Sequence, residues 1–419
     1  MKKLIILGAG TGGTIMASKL VDPLRRRGWK VTVVDRDDNH YYQPGFLFVP
    51  FGLYQPEDLL RQRSALLPPG VEFLTKEVEE IKPEKKAIKL AGGEELGYDL
   101  LLIATGLQTC PQETPGLLDG WRQNIFDYYS LDGAMALARK LEEFNEGTLV
   151  VHINEMPIKC SVSPLEFSFL ADWYFKKRGV RENIRIIYLT PISGAFTRPV
   201  ATRFLGDLQA EKQIEVENFF MTERVEAGAG NSGKVVCYDG RQVAFDLLVT
   251  IPTNMGSELI KRSGLGDEMN YVPVDKSGFR SERYADIFVI GDAAASGWTK
   301  AGAVAHFASE ILDKIILAEI DGKPAEEEFD GHANCFIETG FGRAVVIDYN
   351  EEVEPLPGKF PFPVIGPMSL LKETRINHWS KLAFEWVYWH WLLKGRPIPF
   401  VPARMSMAGK KDVRGMTTT

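Results

Sequence analysis

Residues 2–35 read KKLIILGAGTGGTIMASKLVDPLRRRGWKVTVVD. Leu4 to Leu7 is a continuous apolar run, the pattern of a parallel strand covered on both faces. Gly8-Ala9-Gly10-Thr11-Gly12-Gly13 follows and fits G-x-G-x-x-G where a helix begins. Gly8 permits a tight turn, Gly10 lets the backbone approach a pyrophosphate at the positive helix end, and Gly13 allows close helix–strand packing. Val31 to Val34 forms the next strand. Asp35 ends it about 20 residues beyond the glycines, placed with Arg36 to meet a ribose. A glycine triplet alone is common; strand, triplet, helix, strand and terminal acid together predict a dinucleotide site.

At 419 residues the chain has room for two or three domains with real cores. It is 45% hydrophobic and 25% charged, ordinary for a globular protein. A net charge of −7 argues against a nucleic-acid partner, which needs a basic face. Four cysteines are too few for a disulfide-dense secreted framework, so they pack or carry redox chemistry. The start resembles a signal peptide superficially, but four apolar residues fall short of an h-region, so no signal is expected. No run approaches the roughly 20 apolar residues of a membrane span. A polar tail after Pro402 reads as loose.

Two later segments bear on which dinucleotide binds. YDLLLIATG (98–106) is an apolar strand ending in Ala104-Thr105-Gly106. DIFVIGDAA (286–294) ends in Gly291-Asp292 and leads into an Ala-rich helix from about Ala301-Gly302. Both resemble flavoproteins of the pyridine nucleotide–disulfide reductase superfamily. The resemblance implies FAD, with Asp292 holding the ribityl chain and the following helix pointing its positive end at the flavin. VEFLTKEVEEI (71–81) looks like that family's connecting strands, with Val78 a backbone contact to adenine. The loop His40 to Gly45 is similar to a Pro-bearing loop, here Pro44, that borders the flavin. His306 is either a proton relay or a satisfied helical histidine.

The superfamily usually repeats its glycine turn for NAD(P)H. The repeat should start at TLVVHINEMPIKCSVSPLEF (148–167), where the strand is present and every glycine is missing. Side chains there obstruct a pyrophosphate, and Pro157 removes a donor. Cys160 stands in that turn instead, and Cys335 in HANCFIETG is a distant partner. At this point the chain resembles the sulfide:quinone oxidoreductases, flavoproteins with a vestigial second nucleotide fold. The resemblance implies that Cys335 is the flavin-proximal thiol attacking flavin C4a, while Cys160 takes sulfur from sulfide and releases the product. Each cysteine has a plainer reading as a buried packing residue. Lys159 and the helix start both favour a thiolate at Cys160. Glu166 is either a proton carrier for the thiols or a helix-dipole acid. Cys237 reads as structural and Cys110 as a loop residue. Many relatives have a third cysteine where none lies between Pro111 and Lys159 here, so non-covalent FAD is expected and the sulfur product length is left open. No metal-site spacing is present.

Residues 370–393, LLKETRINHWSKLAFEWVYWHWLL, hold four of the eight tryptophans. Its apolar residues give no clean single stripe. Aromatic rings with interspersed lysines suit a helix lying flat in a lipid interface, or one packed on the protein or a dimer face. The segment resembles the family's quinone-adjacent helix. That implies Lys381 and Phe384 contact a quinone, with Gly340 and Phe341 continuing the cavity unless they mark a turn.

The expected architecture is α/β, with two Rossmann-like tandem βαβ domains, the second degenerate, and a C-terminal amphipathic membrane-interface region. The boundaries are 1–110 and 256–330 for the FAD domain, 111–147 for a connector, 148–255 for the degenerate domain and 331–419 for the C-terminal region. The expected function is oxidation of sulfide to sulfane sulfur through two cysteines and FAD, with electrons passed to membrane quinone. The expected setting is a peripheral, monotopic site on the cytoplasmic membrane, with homo-oligomerisation open. The rivals are an FAD-dependent NADH:quinone oxidoreductase and a sulfide dehydrogenase serving a cytochrome partner.

Overall fold

The computed structural model describes residues 1–228, 232–275, 279–325 and 327–411. Along the chain come β1 (Lys2–Leu7), α1 (Thr11–Arg26), β2 (Trp29–Asp35) and β3 (Leu100–Ile103). They are followed by β4 (Gly147–Ile153), α2 (Ser163–Arg178), β5 (Ile287–Val289) and α3 (Gly302–Ile320). The elements that close the site are β6 (Ala333–Gly340) and α4 (Arg375–His390).

β1 lies between β2 and β3, parallel to both. β5 joins the far side of β3, and Val71–Thr75 the far side of β2. Chain from both ends of the 1–289 stretch therefore shares one seven-stranded sheet. Leu4 to Leu7 are at most 2% exposed, as a strand covered on both faces requires. The second sheet has five strands, all parallel, with β4 at its centre. Ile125–Phe126 is one of its edge strands, so part of the stretch read as a connector belongs to this sheet. The C-terminal region adds a four-stranded sheet containing β6, against which α2 and α4 pack.

α4 is fixed at its start by two polar devices. Thr374 caps it, its hydroxyl accepting from the Asn377 N–H at 3.1 Å. Asn377 is fully buried, and its amide donates to the carbonyls of Ser369 and Lys372 at 2.9 Å each. Held there, the helix sorts its residues by side. Ile376, Trp379, Ala383, Trp386 and His390 are exposed, while Asn377, Tyr388 and Trp389 are buried and Lys381 and Phe384 lie half-buried. A clean stripe exists after all. The sequence reading missed it because apolar residues occupy both faces.

The tail is not loose as far as residue 411. Lys410 Nζ lies 2.5 Å from Asp348, both buried, and Asp348 also accepts from His332 at 2.8 Å. A buried cation needs its counter-charge, and that pins the chain end. The remainder of the tail, 412–419, lies outside the described residues.

Buried histidines couple this fold to pH. His152 on β4 is fully buried between the hydroxyls of Thr250 at 2.9 Å and Thr222 at 2.8 Å. Burial lowers its pKa from 6.5 to about 3. The unfolded chain binds this proton first, so the histidine's stabilisation is present above pH 6.5 and lost on acidification toward 3. Its share of the decline is about 1.4 kcal/mol per pH unit. Urea unfolding of His152→Gln between pH 7 and 4 should show a slope smaller by that amount; an unchanged slope would contradict the assignment.

Candidate functional site

The first glycine turn is built by packing and left open at one point. Gly8 has φ +97, and a Cβ there would meet the Ala104 carbonyl at 2.5 Å. A Cβ on Gly13 would lie 1.9 Å from the Gly8 carbonyl. Gly10 differs: a Cβ on it would meet nothing within 4 Å. The protein does not need that glycine for its own packing, which suits backbone approach by a pyrophosphate. Gly10 caps α1 without a side chain, and no acid occupies the first turn, so the helix end keeps its positive field. Asp35 accepts from the N–H groups of Ala9 at 2.7 Å and Arg36 at 2.8 Å, and pairs with Arg63 at 2.7 Å. A carboxylate has about four lone-pair sites, so one is left for a ribose hydroxyl. The Arg36 side chain is exposed, 3.6 Å from Asp37.

The rest of the cradle has the same character. The Thr105 hydroxyl is buried without a hydrogen-bond partner. Gly106 and Gly302 also face open space. Gly291 and Asp292 follow β5 and line a cavity with Ala301 and Ala305 at the start of α3. Burial pushes the Asp292 carboxyl up, against the pull of Lys300 and Lys159. An orphaned hydroxyl, three open glycines and two helix N-termini without acids suit a flavin dinucleotide. Val78 is buried in a separate strand, its carbonyl 3.5 Å from Arg262. Pro44 is exposed on the loop whose Gln43 accepts from Lys159 at 2.7 Å. That contact brings the loop to the Cys160 turn.

The second turn is full. The Asn154 N–H donates to the Ile251 carbonyl at 3.1 Å, Lys159 N–H to the Asn254 side chain at 2.9 Å, and Cys160 N–H to the Lys300 carbonyl at 2.7 Å. Donors that a glycine turn would offer to a phosphate are already spent on the protein. Cys160 sits in the left-handed region, φ +55, a strained setting for a residue with a side chain.

Around Cys160 three distant segments meet. Glu166, in the first turn of α2, forms an ion pair with Lys381 of α4. The same carboxylate oxygen accepts from the Glu338 N–H of β6 at 2.7 Å. Lys381 also donates to the Phe336 carbonyl at 3.3 Å and stands 5.0 Å over the Phe48 ring. Cys335 lies one residue before Phe336 on β6, buried, and its ionisation is opposed by charge on Cys160 and on Glu166. The two thiols are unlinked and within electrostatic reach of each other. The Phe384 ring is 6.4 Å from that of Phe336. His378, one turn before Lys381, places Nδ1 2.7 Å from Glu338 Oε1.

The thiols are not the acidic groups expected beside Lys159. Burial pushes Cys160 up to about 12; Glu166 adds to this, and Lys381 and Lys159 offset only part of it. Cys335 is driven up for the same first reason. Burial also raises the Glu166 carboxyl, opposed by Lys381. A desolvated thiol is costly to ionise, and the two nearby ammonium groups do not reverse that.

Gly340 and Phe341 form the turn at the end of β6. Gly340 has φ +79 at the turn after β6, and a Cβ there would meet Trp173 at 2.5 Å. Phe341 is 51% exposed, with its ring between Lys212 at 5.3 Å and Lys176 at 5.9 Å. The turn explains these glycines. His306 is buried within α3, 3.1 Å from Glu310. Sequence reading missed Glu338 and His378, whose pairing spans 40 positions. It also missed Tyr388, whose hydroxyl bonds Thr11 at 2.8 Å and His40 at 2.7 Å, with His40 in turn 3.0 Å from the Ala9 carbonyl. Only the helical spacing of His378, Lys381 and Tyr388 hinted that these residues share a face.

Fold and site together define an oxidoreductase framework with one open dinucleotide turn and one filled by the protein itself. The chain belongs to the pyridine nucleotide-disulphide oxidoreductase family, which it matches over residues 2–310. It is 25% identical to the mitochondrial sulfide:quinone oxidoreductase of Mus musculus over 402 residues, 94% of this chain and 86% of that protein. The crystal structure of the sulfide:quinone oxidoreductase from Aquifex aeolicus shares the fold, with a TM-score of 0.80 and 22% identity over 94% of this chain and 92% of that one. A type II NADH:quinone oxidoreductase of Staphylococcus epidermidis is 25% identical over 310 residues, 70% of this chain and 75% of that protein.

Thiol acidity gives a direct test of the geometry. Alkylation of Cys160 by iodoacetamide in the reduced protein should keep rising up to at least pH 10, since the thiolate is the nucleophile and burial holds the group near 12. Lys381→Met should slow alkylation further. A plateau below pH 8 would contradict the burial argument.

Proposed function

We propose that this protein is an FAD-dependent sulfide:quinone oxidoreductase. What supports the reading is that Cys160 and Cys335, far apart in sequence, lie within electrostatic reach of each other and of the Glu166–Lys381 pair, in a chain whose second dinucleotide turn is filled. FAD, when bound, accepts the electron pair from the thiols and delivers it to a quinone. The first glycine turn with Asp35 holds its dinucleotide part, and Thr105, Gly106, Gly291, Asp292 and Gly302 line the remainder. Val78, Pro44 and Arg36 are the further residues that this reading assigns to the cofactor. No cysteine stands where a covalent flavin link would need one, so the cofactor is held non-covalently.

Sulfide enters by opening a bridge between the two sulfur atoms. Attack of HS⁻ on the Cys160 sulfur forms the new S–S bond there, breaks the bridge and leaves the electron pair on Cys335 as a thiolate. Nucleophilicity rises with thiol pKa, so a sulfur whose acidity burial suppresses is a strong electron-pair donor once ionised. Glu166, paired with Lys381, is placed to take the proton that sulfide brings. On the other side Lys381 and Phe384, with Phe336, form an apolar slot with one cation. That suits a quinone ring and the anion that develops as it is reduced.

The outer face of α4 explains how so apolar an acceptor arrives. Ile376, Trp379 and Trp386 are exposed on it, as are Val364, Ile365 and Phe400 elsewhere in the C-terminal region. Among the described residues no helix is long and apolar enough to cross a membrane. An apolar, Trp-bearing stripe of this kind lies in the lipid interface, so attachment is peripheral and monotopic.

A type II NADH:quinone oxidoreductase would share FAD and quinone but needs an open second turn. One anaerobic titration separates the two. Sulfide should bleach the flavin and NADH should not; bleaching by NADH alone would reject the proposal. Cys335→Ser should abolish bleaching by sulfide with FAD retained. Phe384→Ala should slow reoxidation by a short-chain quinone at least tenfold while leaving reduction by sulfide within twofold. Equal rates in that variant would remove Phe384 from the quinone slot.

A further inference from the structure

Glu338 is a buried carboxyl that the reaction described above does not use. It lies on β6 three residues beyond Cys335, 1% exposed. One oxygen bonds His378 Nδ1 at 2.7 Å, and the other is buried with no hydrogen-bond partner. Leaving a carboxylate oxygen buried and bare is costly unless something reaches it. Its charge is felt at Glu166 from α2 and at Tyr54 from the loop after β2. Tyr54 is itself bonded to Glu385 of α4. Lys381 completes the ring of charged groups around the same space, through its pair with Glu166. His378, by contrast, has 20% of its side chain in solvent. The dyad therefore runs from the surface to a buried carboxylate between β6 and α4.

The proposed chemistry has a proton deficit that this dyad answers. HS⁻ gives up two electrons and one proton as it becomes sulfane sulfur. A quinone takes two electrons and two protons as it becomes quinol. Each turnover must draw one proton from water into a site whose walls are phenylalanines. Lys381 and Glu166 can recycle the sulfide proton, but both are nearly closed off from solvent, at 11% and 3%.

We infer that His378 and Glu338 form the proton inlet for the acceptor half of the reaction, passing protons from solvent through the imidazole to the bare carboxylate oxygen and on to the Lys381 end of the slot. The inference rests on the quinone reading of that slot. Imidazole and carboxylate at hydrogen-bond distance make a relay in which each proton arriving at His378 releases another toward Glu338.

The test uses the FAD-loaded enzyme reduced anaerobically by sulfide, then reoxidised either by a short-chain quinone or by ferricyanide, which takes electrons without protons. Glu338→Gln and His378→Ala should each reduce with sulfide within twofold of the parent. Each should reoxidise with quinone at least tenfold more slowly and with ferricyanide at the parental rate. Added imidazole should restore quinone reoxidation in His378→Ala. Unchanged quinone reoxidation in His378→Ala would overturn the inlet. So would an equal slowing with ferricyanide, which marks a disturbed fold rather than a lost proton path. His378 is partly exposed, so its variant keeps the test alive if Glu338→Gln does not fold. Failure of sulfide to reduce the parent enzyme would instead sink the parent reading, and is scored separately.

Discussion

The ion pair between Glu166 and Lys381 is the contact on which the site depends. It joins the first turn of α2 to the middle of α4, and through the Glu338 N–H it joins both to β6. Each of those elements carries one of the residues to which the proposal gives a role: Cys160 precedes α2, Cys335 lies on β6, and Phe384 lies on α4. Two buried charges gain little over two well-packed apolar residues, but removing one partner strands the other at a cost of about 3–5 kcal/mol. The pair thus adds little net stability and sets position strongly. Burial is the main cause that pushes both thiols up, Glu166 adds to it, and Lys381 offsets only part.

α4 carries two functions on two faces. Inward, Asn377, Lys381 and Tyr388 bind in turn the C-terminal sheet, the thiol site and the first dinucleotide turn. The Tyr388 hydroxyl reaches that turn through His40, whose pKa burial lowers to about 4, so the imidazole is neutral and can accept from the phenol while its other nitrogen serves Ala9. Outward, the same helix shows tryptophan and isoleucine. A single helix of 16 residues links the apolar surface, the Glu166–Lys381 pair and the first glycine turn. Movement at one of these positions is transmitted to the others by packing.

What was legible in the sequence was what is local. The strand–glycine–helix–strand–acid run of residues 2–35 encodes its geometry within one βαβ unit, and the absence of glycines between Asn154 and Cys160 reads equally well. The two thiols were paired only through family resemblance, because no local pattern ties residue 160 to residue 335. Glu338, His378 and the Tyr388–His40 contact stayed hidden for the same reason. Gly340-Phe341 stayed between two readings, since a glycine in a turn and a glycine lining a cavity look alike in sequence; the positive φ and the nearby Trp173 show the turn. The acidity of Cys160 was misjudged because Lys159 is visible in the sequence while desolvation is not. The stripe on α4 was missed because hydrophobic residues occupy both its exposed face and its buried one.

The account turns on the two sulfurs being able to reach each other. Peptide mapping by mass spectrometry of protein oxidised with diamide, digested without reduction, reads this directly. The expected product joins the peptides that contain Cys160 and Cys335, by a disulfide or through inserted sulfur atoms after sulfide is supplied. Recovery of both peptides separately, each with its own oxidised or alkylated thiol, would contradict it.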